Sequence, residues 1–225
     1  MTLTTINGQH HGMRIGSVPA VGIPEALAGR GFDTILRLPG STYRDSSTVV
    51  VVPTRGVGAG PEPTVPLRVA NAWQNLIGPM NQKRAFLYAV GDEVGVAYNR
   101  MIRAVLDNTE LRTWRYVLTL EDDNLPPPDA HIRLLETIEA GGYDAVSGIY
   151  FTKGELNMPM AYGDPSDGPL DFRPRDVRAA LAAGQVMPVN GIAMGCALWR
   201  MDLFRALPEP WYVTCSDVVP GVGVR

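Results

Sequence analysis

Residues 116–124 have the sequence YVLTLEDDN, in which an apolar run is followed directly by three acidic side chains. The run over 116–120 has the length and composition of a buried strand. Open α/β sheets bind their ligands just beyond the carboxyl ends of the strands. Glu121, Asp122 and Asp123 therefore predict a ligand site at the end of this strand.

Strand-like and helix-like segments alternate on both sides of this stretch. Continuous apolar runs predict strands, whereas apolar residues at helical spacing predict helices. The predicted strands are 49–52, 86–90, 116–120 and 144–151; the predicted helices are 66–76, 94–106 and one that Asp129 caps and Gly141-Gly142 ends. This order predicts an α/β fold with a mainly parallel central sheet flanked by helices.

The remainder of the chain contains shorter predicted elements. Residues 152–176 are rich in glycine and proline, and a loop of that length in a compact domain is usually functional or disordered. We also predict an amino-terminal arm of unknown role over 1–46, which is unlike the rest, and one domain over 47–225. The short elements predicted after the loop are a helix over 177–183, strands over 185–189 and 193–199, and a helix over 202–207.

Composition and charge limit the class of protein. A net charge of -3, with 45% apolar and 19% charged residues, predicts a soluble globular chain without a nucleic-acid-binding surface. No stretch has the character of a signal peptide or a membrane span, so we predict a cytoplasmic protein. Cys196 and Cys215 form no metal-ligand spacing, and Cys196, inside an apolar run, is predicted to be buried.

The three carboxylates themselves indicate a partner of positive charge. Like charges a few ångströms apart oppose ionisation, and a divalent cation is the usual partner of clustered oxygen ligands. Alternate residues of an extended chain point to the same side, so Glu121 and Asp123 can converge on one ion while Asp122 faces elsewhere. The alternative is a solvated acidic turn that caps the following helix.

Five segments follow one another in a characteristic order between Val49 and Trp211. They are VVVVPTRG (49–56), AYNRMI (97–102), LTLEDDN followed by LPPPDAHIRLLETI (118–138), AVSGIYF (145–151) and NGIAMGCALWRMDLF (190–204). Their order and spacing resemble the GT-A glycosyltransferases, especially the family 2-like proteins of bacteria and phages. The resemblance implies a GT-A fold and transfer of a sugar from a UDP- or GDP-sugar donor to an unknown acceptor.

The resemblance also implies site residues. Glu121 and Asp123 match the first and last positions of the D-x-D motif of the family, near the ribose and the metal-bound diphosphate. The family prefers Asp at the first position, so Asp122 is a second candidate for that role. The other matching residues are Pro53, Thr54 and Arg55 in the turn that holds the nucleoside, Asn99 and Arg100 beside the nucleotide, and Gly191, Met194 and Gly195 in the wall beside the donor sugar and acceptor.

Two of these assignments have plain structural alternatives. Arg100 can meet a phosphate in bidentate fashion, but a surface helical arginine fits the same position. Gly191 and Gly195 also fit a tightly packed strand in which glycine permits close approach.

The implied reaction needs a divalent cation and a base. Mn²⁺ or Mg²⁺ held by carboxylates stabilises the departing nucleoside diphosphate as a Lewis acid. An inverting enzyme also needs a general base, for which Asp217 is the available acid after Trp211, with an ordinary loop aspartate as the alternative. The histidine that often completes the metal site of the family has no counterpart after His131. These departures indicate either a domain truncated at its carboxyl end or an enzyme whose base is not identified.

Three further hypotheses stay open from the sequence. A sugar nucleotidyltransferase of related fold would carry a basic Gly-rich loop after its first strand, and RGVGAG (55–60) resembles that loop but lacks a lysine. A catalytically silent binding module would explain the missing carboxyl-terminal chemistry. An α/β fold with an acidic turn and no nucleotide ligand also remains, because a fold does not fix a function.

Overall fold

The computed structural model describes residues 3–4, 10–12, 45–54, 64–153, 157–214, 218–219 and 223–224. The chain divides into two units, Met1–Ser41 and Thr42–Arg225. In the first unit, strand β1 (Leu3–Thr4) pairs with strand β2 (His10–Gly12) in antiparallel orientation. Most of the arm predicted over 1–46 lies outside the described residues.

A five-stranded sheet forms the centre of the second unit. Its order is β4-β3-β5-β9-β6, with β3, β4 and β5 parallel and β9 antiparallel to both β5 and β6. The predicted α/β fold with a mainly parallel sheet is therefore confirmed. The strands are β3 (Thr48–Thr54), β4 (Arg84–Val90), β5 (Tyr116–Leu120), β6 (Ala145–Ser147), β7 (Ala161–Tyr162), β8 (Gly191–Ile192), β9 (Cys196–Arg200), β10 (Val218–Val219) and β11 (Gly223–Val224).

Helices cover both faces of this sheet. They are α1 (Leu67–Gln74), α2 (Val94–Asp107), α3 (Ala130–Gly141), α4 (Arg178–Ala183) and α5 (Met201–Ala206). Residues of α1 and α3 pack on one face, and residues of α2 and α5 pack on the other. Among the described residues, no helix has the length and apolar character needed to cross a membrane.

The valine run of β3 is explained by its central position. Val50 and Val52 join the core on the side of α1 and α3, whereas Val49 and Val51 join the core on the side of α2. All four side chains are fully buried. A strand covered on both faces is apolar at every position, and full burial of each valine stabilises the fold by about 1.5–3 kcal/mol.

The strand predicted over 144–151 is shorter than expected. It ends at Ser147, although the Gly148 N–H still donates to the Cys196 carbonyl of β9 at 2.9 Å. Beyond this point the Tyr150 hydroxyl accepts a hydrogen bond from the Gly195 N–H. Cys196 itself is buried, as predicted.

Two further predictions are wrong in detail. Residues 185–189 form no strand, since the Gln185 N–H instead donates to the Ala180 carbonyl and closes α4. The Asp129 side chain does not cap α3; it pairs with Arg133 at 2.5 Å, one turn along the helix. The helix does end as predicted, at Gly142 in the left-handed conformation with φ 62°.

The segment predicted as a loop over 152–176 contains ordered structure in its described part. β7 lies within it and pairs with β8. The Asn190 amide donates to the carbonyls of Gly168 and Asp171 at 2.7 and 2.9 Å. Gly163 has φ 72°, and a Cβ there would lie 1.8 Å from the Asp171 carbonyl oxygen, so this turn requires glycine. The described part of this segment is therefore ordered by strand pairing and by hydrogen bonds.

Candidate functional site

Two of the predicted site residues, Thr54 and Asp122, meet at the carboxyl edge of the sheet, between β3 and β5. The chain passes from β3 to β4 on one side and then returns to β5 on the other, so these two neighbours flank the switch point of the topology. Thr54, the last residue of β3, donates its hydroxyl hydrogen to the carboxylate of Asp122, just after β5. This hydrogen bond crosses the crevice where α/β sheets bind ligands.

The residues after β5 form a tight turn, here called the acidic turn (residues 121–124). The Asn124 N–H donates to the Glu121 carbonyl at 3.2 Å, and the Glu121 N–H donates to the Gly195 carbonyl at 3.3 Å. The Asn124 amide also lies 3.1 Å from Asp123 Oδ1 and 3.5 Å from Glu121 Oε2. Asn124 thus contacts both Glu121 and Asp123, while Asp122 accepts from Thr54. The convergence of Glu121 and Asp123 on one ion stays a prediction.

Glu121 has a carboxylate with few partners. It follows Val117 and Thr119 in the strand alternation, so it lies above the core on the α2 side. Its one side-chain hydrogen bond within the described residues is the 3.5 Å contact with Asn124, at the long limit for such a bond. Burial, followed by the charges of Asp123 and Asp122, raises the pKa of Glu121.

Tyr98 and Tyr150 lie near this carboxylate, and Tyr212 packs against Tyr98. The rings of Tyr98 and Tyr212 are 5.1 Å apart, and the Tyr150 hydroxyl accepts from the Gly195 N–H at 2.7 Å. The hydroxyls of Tyr98 and Tyr212 are buried and have no hydrogen-bond partner among the described residues. Burial and the nearby charge of Glu121 raise the pKa of Tyr98 and of Tyr150, so both phenols stay neutral at physiological pH.

Gly195 brings the backbone of the last sheet strand against the acidic turn. A Cβ at this position would lie 2.3 Å from the Asn124 amide nitrogen and 2.5 Å from the Tyr150 hydroxyl. Glycine therefore permits this close approach, and any larger residue would displace the Asn124 and Tyr150 side chains. Gly191 is less restricted, with 3.4 Å from a Cβ to the Phe172 ring, and Met194 packs partly buried on the α2-side core.

Asp123 has a cationic partner that the sequence did not predict. Lys153 Nζ lies 2.9 Å from Asp123 Oδ2, and both side chains are largely exposed, 71% and 54% respectively. Asn124 was missed as well, although it completes the LTLEDDN stretch. The sequence could have drawn attention to Lys153 because lysine is rare in this chain, with Lys83 and Lys153 as its only two lysines.

Asn99 and Arg100 have separate contacts in the structure. The Asn99 amide donates to the carbonyls of Gly95 and Tyr212 at 2.8 and 2.6 Å. Its oxygen accepts from the N–H groups of Trp211 and Tyr212 at 2.9 and 3.1 Å. Asn99 thus fastens the segment that carries Tyr212 to α2. Arg100 is exposed and pairs with Asp92 at 2.7 Å.

Of the remaining predicted residues, Pro53 lies in the sheet, whereas Arg55 and Asp217 lie outside the described residues. Pro53 is buried in β3, in register with Ala89 of β4. Arg55 and Asp217 lie outside the described residues, as do Gly56–Gly60 of the Gly-rich loop. The nucleoside contact of Arg55 and the base role of Asp217 therefore stay predictions.

The carboxylates of the acidic turn are candidate ligands of a divalent cation. The described residues contain no group of three or more His, Cys, Asp or Glu side chains able to hold a metal by themselves. Glu121 and Asp123 instead lie on either side of the Asn124 amide. Mg²⁺ is commonly bound by one or two carboxylates together with substrate phosphates, and this donor set fits such a shared site.

Comparisons with known proteins identify the fold and nothing finer. No protein-family model matches the chain, and no curated protein sequence matches it. Among solved structures, A197 from STIV is similar with a TM-score of 0.51 at 18% sequence identity, covering 75% of this chain and 72% of that chain. At this level of identity the similarity concerns the α/β fold alone.

Proposed function

We propose that this chain is a metal-dependent glycosyltransferase of the GT-A type, which transfers a sugar from a UDP- or GDP-sugar to an acceptor. The observation that carries the proposal is the Thr54–Asp122 hydrogen bond across the switch point of the sheet, directly beside two further carboxylates. Nucleotides bind at such switch points in open α/β sheets. The five-segment sequence resemblance supports the same reaction class.

The acidic turn has the chemistry that a diphosphate donor requires. When Mn²⁺ or Mg²⁺ is bound, it stabilises the negative charge that develops on the leaving nucleoside diphosphate. Glu121 and Asp123 would hold that ion, since Asp122 is engaged by Thr54. One oxygen of each of these two carboxylates lies within 3.5 Å of the Asn124 amide nitrogen.

Polar groups beside the acidic turn favour a sugar as the ligand. The Gly195 N–H donates to the Tyr150 hydroxyl at 2.7 Å, which fixes this phenol beside the acidic turn. Neutral phenols beside a carboxylate suit a ligand rich in hydroxyl groups, because each hydroxyl both donates and accepts hydrogen bonds. Asp217 remains the candidate base for deprotonating the acceptor.

Analysis of reaction products tests the proposal. With water as the acceptor, we expect slow Mn²⁺-dependent release of UDP or GDP from its sugar nucleotide, reduced at least about tenfold in Asp123→Asn. Asp202→Asn is the matched control, since Asp202 is an exposed aspartate in an ion pair with Arg205 in α5. Its turnover should equal that of the wild type.

Two other products would assign a different function. Formation of a sugar nucleotide with release of pyrophosphate from a nucleoside triphosphate would identify a nucleotidyltransferase. Complete absence of turnover by folded protein, with nucleotide binding intact, would identify a silent binding module.

A further inference from the structure

Lys153 occupies the position beside Asp123 where a cation is needed. Its ammonium group is 2.9 Å from Asp123 Oδ2, while Asp123 Oδ1 accepts from the Asn124 amide. Within the described residues, Lys153 is the one basic side chain paired with the acidic turn. The turn therefore has a resident positive charge in addition to any ion that it binds.

A paired stem presents Lys153 to the turn. The Thr152 N–H donates to the Met158 carbonyl at 2.8 Å, and the Met158 N–H donates to the Thr152 hydroxyl at 2.9 Å. One step further from Lys153, the Met160 N–H donates to the Tyr150 carbonyl at 2.9 Å. The Tyr150 hydroxyl in turn binds the Gly195 N–H, so the stem is attached to the wall of the site.

The ion pair between Lys153 and Asp123 is exposed, so another cation can replace Lys153 beside Asp123. Ion pairs between exposed side chains are weak, since water screens them and both side chains lose freedom. An ammonium group and a divalent cation cannot both occupy the space next to Asp123 Oδ2. A divalent cation shared with a diphosphate carries the larger charge and gains oxygen ligands from both partners.

We propose that Lys153 is a diphosphate-binding residue that Asp123 holds in position until a metal-bound nucleotide arrives. This inference depends on the proposed glycosyltransferase function. Asp123 would then hold the metal ion, and the ammonium group of Lys153 would bind an oxygen of the diphosphate as a compact point charge. The positive charge thus stays at the site and changes its partner.

Substitution of the two lysines separates this role from a structural one. Lys153→Gln removes the charge beside Asp123, and Lys83→Gln is the matched control because Lys83 forms a similarly exposed pair with Glu110 at 2.8 Å. For Lys153→Gln we expect binding of Mn²⁺ alone to tighten about threefold, while UDP or GDP at saturating Mn²⁺ binds about fivefold more weakly. Lys83→Gln should match the wild type in both calorimetric titrations.

Tighter binding of Mn²⁺ together with weaker binding of UDP or GDP in Lys153→Gln would show that Lys153 exchanges Asp123 for the diphosphate. Unchanged affinities in Lys153→Gln, or a loss of both, would overturn the role of Lys153 while leaving the proposed function in place. A folded wild type that binds neither Mn²⁺ nor either nucleoside diphosphate would overturn both proposals.

Chemical reactivity gives a second test that needs no variant. Limited acetylation followed by mass spectrometry measures the modification of Lys153 relative to Lys83 in the same molecule. We expect Mn²⁺ to increase this ratio by releasing Lys153 from Asp123, and added UDP or GDP to lower it again. A ratio that Mn²⁺ leaves unchanged would contradict the exchange.

Discussion

Two glutamates lie at opposite ends of β5, and their surroundings differ. At the amino end, Glu139 of α3 accepts a hydrogen bond from the Tyr116 hydroxyl and ion-pairs with Arg115 at 3.2 Å and Arg200 at 2.7 Å. At the carboxyl end, Glu121 has a single long contact with Asn124 within the described residues. Both are glutamates beside the same buried strand, so the difference arises from their partners.

The partners move the two pKa values in opposite directions. Burial alone would raise the pKa of Glu139, but Tyr116, Arg115 and Arg200 outweigh it and lower that pKa. Burial and the neighbouring Asp123 and Asp122 raise the pKa of Glu121. At the amino edge of the sheet, the Glu139 carboxylate therefore links α3 to β5 and β9. At the carboxyl edge, the Glu121 carboxylate has oxygen lone pairs that can still accept hydrogen bonds. Such unsatisfied groups are typical of functional sites.

Removal of each carboxylate tests this contrast and has the largest expected effect. Glu139→Gln leaves two guanidinium groups without their anion, so we expect a loss of about 3 kcal/mol in the free energy of unfolding. Glu121→Gln removes repulsion at the acidic turn, so we expect a change below about 1 kcal/mol. Urea unfolding of both variants measures the two values. Equal losses would contradict the division of roles.

The amino edge also contains a histidine that makes stability depend on pH. His131 is buried, with Nε2 3.1 Å from the Thr48 hydroxyl, and its Nδ1 has no hydrogen-bond partner among the described residues. Burial and the charge of Arg84 lower the pKa of His131 to about 4. The unfolded chain takes up this proton near pH 6.5, before the folded chain does, so stability falls as the pH decreases through this interval.

We therefore expect a loss of about 2 kcal/mol between pH 6.5 and pH 5 from this one group. Urea unfolding across this range measures it, above the region where most carboxylates titrate. His131→Gln should flatten the dependence while keeping a polar group near Thr48. A wild-type curve as flat as that of the variant would show that His131 is protonated in the folded state.

The sheet was predictable because its signals are local. The valines of β3 are consecutive in sequence, and both faces of the strand are covered, so apolar content alone identified it. The run before Glu121 was equally clear, and β5 has the predicted bounds over 116–120. The strand over 144–151 was predicted too long, because apolar residues continue past Ser147, where β6 ends.

The site was predictable only in part because its contacts join distant residues. Lys153 meets Asp123 across 30 residues, and Asn99 binds Tyr212 across 113. Neither pairing follows from periodicity or from the propensity of a short segment. The acidic residues were identified by their position after a strand, but their partners depend on the path of the whole chain.

A smaller effect is expected from the adjacent residues Asn99 and Arg100. Asn99→Ala removes the three hydrogen bonds that fasten the segment with Tyr212 to α2 and a fourth to the Gly95 carbonyl within the helix, so we expect a loss of about 2 kcal/mol in unfolding free energy. Arg100→Ala breaks an exposed pair with Asp92 and should cost less than about 0.5 kcal/mol. If the two losses measured by urea unfolding are equal, the segment is not held through Asn99.

The most direct test of the donor site is a calorimetric titration with UDP- and GDP-sugars, with Mn²⁺ and with chelator. We expect the wild type and Asp202→Asn to bind one of these donors in a metal-dependent manner, and Asp123→Asn to bind at least about tenfold more weakly, which is about 1.4 kcal/mol. Binding that is equal in Asp123→Asn and wild type, or absent from folded wild type, would contradict a donor site at the acidic turn.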